Sequence, residues 1–129
     1  MRVASVIARF LAGVIFLVMG LNGFLNFISL PPTGGVAGQL MGALYVSLYV
    51  WVIFAFEIIG GLLLLVNRFV PLALAILAPV IVNVLTFHVL MAPSGLPVVL
   101  LAAILWTAIF IEVRPAFSGL FQSRWPPRA

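Results

Sequence analysis

Four long apolar stretches separated by short breaks make up nearly the whole chain. The first covers residues 5–28 and is interrupted by Arg9, Asn22 and Asn26. Leu30-Pro31-Pro32-Thr33-Gly34-Gly35 ends it, because paired prolines and glycines cannot continue a helix. The second, 40–66, carries Glu57 inside it and stops at the polar pair Asn67-Arg68. The third, 69–91, contains Pro79, Asn83 and His88, and Ala92-Pro93-Ser94-Gly95 turns the chain. Pro97 suits the first turn of a fourth helix over 97–113, which Arg114-Pro115 stops. A hydrocarbon core roughly 30 Å thick needs about 20 helical residues. The pattern predicts an all-α membrane protein, with four transmembrane helices in an up-down bundle. They form one domain over residues 1–129.

Behind Pro115, Phe117, Leu120 and Phe121 fall on one helical face, with Ser118 and Gln122 turned away. With Arg124 and Trp125 following, this reads as a short interfacial helix lying on the membrane. A frayed aromatic tail is the alternative. Met1-Arg2 before an apolar run resembles a signal peptide, but Arg9 would fall inside its hydrophobic region and no small-x-small cleavage site follows. An uncleaved first span is expected instead.

Charge orients the spans. Only 6% of the 129 residues are charged, too few to clothe a water-soluble domain. The basic residues are six scattered arginines, which argues against nucleic acid as a partner and for membrane lipids. Arg2 and Arg9 open the first span, Arg68 separates the second from the third, and Arg114, Arg124 and Arg128 follow the fourth. Four crossings put all six on one side, and the positive-inside rule makes that side, with both termini, cytoplasmic.

Candidate chemistry is sparse. The chain has no cysteine, which removes thiol redox chemistry and thiolate metal sites. One histidine cannot supply bis-histidine haem ligation, and no metal-ligand set, phosphate loop or nucleophile–histidine–acid arrangement appears, so no catalytic residue is assigned. Glu57 stands out. It lies about 13 Å from the cytoplasmic end of its helix, where a carboxylate costs about 2.5–3.5 kcal/mol and needs an interior partner or a proton. Arg9, about one turn shallower, is the expected partner in a structural ion pair, snorkelling to headgroups being the alternative. Arg9 shares a stripe with Gly13, Phe16, Gly20 and Phe27, and glycines there invite close helix packing. Gly60 and Gly61 beside Glu57 do the same, as would Gly34, Gly38 and Gly42 entering the second span. Asn22, Asn26, Asn83 and His88 lie at similar depth in the outer half and are candidate ligand-binding residues with Glu57. Interhelical hydrogen bonding and an interfacial position are their structural alternatives. Trp51 and Trp106 read as volume-filling, and Glu112 and Arg114 as end-of-span charges.

The run from Asn67 to Leu74, Ala78-Pro79-Val80-Ile81-Val82-Asn83 and Phe87-His88 resembles the DoxX-like family. So do Arg9 with Gly20, the prolines of the first loop, and Glu57-Ile58-Ile59-Gly60-Gly61 with the four leucines after it. The resemblance extends to about Phe117. It implies a small four-helix protein of the bacterial inner membrane. Family names derive from membrane subunits associated with thiosulfate:quinone or quinol oxidoreductases, and some relatives act in membrane-protein assembly. Arg9, Glu57, Asn83 and His88 match the family's polar set.

Two functional readings follow. In the first, Glu57, Asn83, His88, Asn22 and Asn26 line an intramembrane polar pocket for a lipophilic ligand, with a quinone or lipid as candidate, and the chain is accessory to a membrane redox complex. Quinone carbonyls need hydrogen-bond donors and reduction needs a proton source, while electrons would come from a partner, since no redox cofactor is encoded. In the second, the chain is a non-enzymatic assembly or scaffold subunit docking on a membrane-protein partner or on itself as a homo-oligomer. The sequence does not choose between them.

Overall fold

The computed structural model describes residues 2–29 and 34–126. Leu30, Pro31, Pro32 and Thr33 of the first break, and Arg128 of the cytoplasmic set, lie outside the described residues. The described chain is helical without strands: α1 (Val3–Leu25), α2 (Gly35–Val46), α3 (Val50–Leu65), α4 (Val70–Leu90) and α5 (Leu96–Val113), followed by a 3₁₀ helix over Arg114–Phe121. Val3–Leu25, Val70–Leu90 and Pro93–Phe121 are each long and apolar enough to cross a membrane, and the bent pair α2–α3 makes a fourth if counted as one span.

The expected second span is therefore broken. α2 and α3 meet at 84° instead of running on as one helix over 40–66. Ser47 is the cause, because a hydroxyl competes with the helix for backbone groups. Its Oγ donates to the Leu44 carbonyl (3.2 Å) and accepts the Tyr49 N–H (3.3 Å), while Leu48 takes a left-handed φ of 64°.

The first helix also stops earlier than residue 28. Asn26 adopts the left-handed conformation (φ 54°) that closes many helices, and Asn22 Oδ1 accepts the Ile28 N–H at 2.7 Å. Asn67 does the same between α3 and α4, with φ 54°. There the Arg68 and Asn67 amides bond back to Leu63 and Leu64, a Schellman closure. The final segment is a 3₁₀ helix, not an α-helix. Its Phe117 packs on Phe110 (5.1 Å between ring centroids), while Leu120, Phe121 and Trp125 are exposed.

α1 packs on α3 and α5, and α4 on α3 and α5, so the four close a ring, with α2 barely attached to α3. The core between them is filled by Ala8, Ala12, Phe16, Leu64, Leu74, Leu77, Ala102 and Ile109 among others. Apolar burial drives little helix association in lipid, so close van der Waals approach must. Glycine supplies it. A Cβ on Gly61 would stand 2.7 Å from the Leu17 amide nitrogen, and one on Gly20 2.8 Å from the Phe54 carbonyl oxygen. Gly60 leaves the space that Leu77 of α4 occupies. Gly42 of α2 and Gly34 at its cap do not act this way: neither has anything within 4 Å of where a Cβ would sit.

Candidate functional site

Glu57 is the residue on which the expected site centred, and it faces the bundle interior. It is the eighth residue of α3 and only 8% exposed. Gly20 lies opposite on α1, a Cβ there falling 3.0 Å from the Glu57 Cβ. Its Oε2 is buried with no hydrogen-bond partner among the described residues.

Arg9 is not that partner. Its Nη1 donates to the Leu64 carbonyl and, at 3.4 Å, to the Leu65 carbonyl, both in the last turn of α3. These carbonyls carry the negative end of the helix dipole, so a guanidinium is well placed there. The register explains the difference from the expected ion pair. α1 and α3 run antiparallel, with Gly20 level with Glu57 and Arg9 level with Leu64. Seven residues of α3 separate Glu57 from Leu64, about 10 Å along the axis, against the single turn expected. Arg9 closes a helix instead of neutralising a carboxylate.

The outer-half residues do not converge. Asn22 is 5% exposed, but its side-chain oxygen is held by the Ile28 N–H of its own segment. Asn26 is exposed and ends α1. Asn83 lies on the exposed face of α4, with Nδ2 donating to the Pro79 carbonyl at 2.7 Å. His88 Nδ1 donates to the Val84 carbonyl at 2.8 Å, and its ring covers Gly95, which has no side chain to displace it. Each side chain completes its own helix or turn, the economical solution for a polar group in hydrocarbon. No two of these four side chains bond to one another among the described residues.

Two contacts escaped the sequence reading. Trp106 Nε1 donates to the Leu74 carbonyl of α4 at 3.0 Å, while its ring stacks on Phe110 (5.2 Å, 7°). An indole N–H amid volume-filling residues gives no sequence cue to its acceptor. Glu112 does more than end a span: its Oε1 accepts the Arg2 N–H at 3.1 Å, and its Oε2 lies 3.9 Å from Arg2 Nε. α5 thus supplies an acidic group to the N-terminus of α1, where the helix dipole favours one.

On the outer face of α5 is a shallow open groove of about 400 Å³, lined by Leu100, Ala103, Ile104, Thr107, Ala108 and Ile111. Thr107, its one hydroxyl, is turned back onto the Ala103 carbonyl at 2.8 Å, so the groove offers an apolar surface.

Several long apolar helices, polar side chains folded back onto their own backbones and apolar outer faces are the make-up of a multi-pass α-helical membrane protein. Comparison with protein-family models, with curated protein sequences and with solved structures returned no match.

Proposed function

We propose that the chain is a four-span, DoxX-like protein of the bacterial inner membrane, with both termini cytoplasmic, that works as a non-enzymatic scaffold or assembly subunit for another membrane protein. The family resemblance and the arginine pattern support the first part. The bundle's own contacts agree with it: Arg2 meets the end of α5, Arg9 meets the end of α3, and Arg68 lies in the adjoining turn, so these arginines gather at one end of the ring. Because the chain lacks cysteine, single-cysteine variants need no background removal. A cysteine at Ser94 should react with an impermeant maleimide from outside the cell, and one at Arg68 only after the membrane is opened. The reverse labelling would overturn the orientation.

The α5 groove carries the scaffold reading. Ala103 and Thr107 are one turn apart, and small residues so spaced let a second transmembrane helix approach closely. Its partner would be a helix whose leucine, isoleucine or phenylalanine side chains fill the groove, lipid chains filling it otherwise. Affinity purification from native membranes in mild detergent should recover one membrane protein at fixed ratio, and Thr107→Phe, a change at an exposed position of the groove, should abolish recovery while leaving the bundle folded. Recovery that survives Thr107→Phe would remove α5 as the docking face. The second reading, a holder of quinone or lipid beside a redox partner, keeps one support, the interior carboxyl of Glu57. A quinone found by mass spectrometry with no partner protein would put that reading first.

A further inference from the structure

We propose that Glu57 is a proton-binding site, its carboxyl held un-ionised inside the ring, and that loss of the proton loosens α1 from α3 at Gly20. The inference rests on the surroundings of the carboxyl and is independent of any partner on α5. Glu57 is more than nine-tenths buried, and Oε2 has no donor among the described residues.

No charged group on a packed helix can neutralise it. On α1, Arg9 directs Nη1 to the Leu64 and Leu65 carbonyls, its buried Nε having no partner among the described residues, and Arg2 pairs with Glu112. On α4, His88 lies eleven residues beyond Leu77, the side chain that fills the space at Gly60, and is turned onto Val84 and Gly95. On α5, Glu112 lies with Arg2 at the opposite end of the ring, and α3 holds no other titratable residue. α2 has none either.

An ionised carboxylate in such a place is an unpaired buried charge, whereas the acid form is an ordinary polar group. Its hydroxyl can turn onto a carbonyl of the preceding turn, as Thr86 and Thr107 do on their helices. Ionisation therefore demands that water or a cation reach Oε2. At Gly20 the contact of α1 with Glu57, Phe54 and Ile58 is made by backbone alone, with no α1 side chain interlocked across the seam. The ligand of the site is a proton, and its release opens the α1–α3 seam.

The test uses the full chain in lipid nanodiscs and the apolar reagent dicyclohexylcarbodiimide. An un-ionised carboxyl gives its proton to a carbodiimide nitrogen while the carboxylate oxygen adds to the central carbon. Rearrangement to the N-acylurea then fixes the whole reagent on the peptide, with nothing leaving. Mass spectrometry should locate the adduct at Glu57 and not at Glu112, with labelling falling about tenfold for each pH unit above the point of ionisation. The thermal stability of the wild type should fall as pH is raised, and Glu57→Gln, neutral at every pH, should remove that dependence. An unlabelled Glu57, labelling independent of pH, or identical pH profiles for wild type and Glu57→Gln would each overturn the proposal. The labelling arm needs no variant, so it stands even if Glu57→Gln folds poorly.

Discussion

Gly61→Ala is expected to destabilise the bundle by about 1–3 kcal/mol, the usual range for over-packing a close-packed seam. The added methyl would meet backbone, the Leu17 nitrogen at 2.7 Å and the Gly13 oxygen at 2.9 Å, and backbone cannot rotate out of the way. Only separation of α1 from α3 relieves it, and that loosens the Gly20 contact further along the seam. Gly61→Val should fail to give a monodisperse folded protein. The control is Gly42→Ala, where the new methyl has nothing within 4 Å. That change should be neutral or gain up to about 1 kcal/mol from helix propensity. Denaturation in mixed micelles, read by size exclusion or fluorescence, separates the two. Equal stability of the two alanine variants would show that the seam is not where the structure puts it.

Arg9→Met should cost about 1.5–3 kcal/mol, the range for losing hydrogen bonds from a charged donor. Methionine keeps the length and apolar stem but strips the Leu64 and Leu65 carbonyls of their guanidinium. Arg9→Lys should recover part of the loss, since an ammonium retains the favourable charge at the end of α3 but lacks the planar fork. Arg9 makes no bond to Glu57, so the effects of Arg9→Met and Glu57→Gln should add within about 0.5 kcal/mol in the double variant. Coupling well above that in the double-mutant cycle would restore the ion pair that the sequence suggested.

The all-helical, membrane-spanning character and the interior position of Glu57 could be read from the chain because both follow from bulk apolar patterning and the cost of burying charge. Register could not. Placing Arg9 beside Leu64 instead of Glu57 depends on which glycine of α1 meets which residue of α3, and Gly13, Gly20, Gly60 and Gly61 permit several alignments on paper. The break at Ser47 was hidden for a different reason. One serine in an apolar run signals a bend only when its hydroxyl captures backbone groups on both sides. Asn22 and Asn26 were readable as polar groups at one depth, but a helix-ending asparagine and a pocket-lining one look alike until the backbone turns left-handed. Asn83 and His88 likewise appeared to share a site because they share a depth, whereas each satisfies itself within one turn.

The fracture between α2 and α3 gives the ring walls of unequal height. α1 has 23 residues, about 34 Å of helix, whereas α3 has 16, about 24 Å, before the chain swings away. A bilayer meeting the short wall must thin there, or let α2 lie across the gap as a lid over the lipid tails. Such mismatch costs only fractions of a kcal/mol per ångström, but it acts around the whole contact line. The protein would therefore favour thinner patches of membrane, and neighbours whose own short sides relieve the same dent. Thickness matching would bring candidates to this bundle before any side chain made contact.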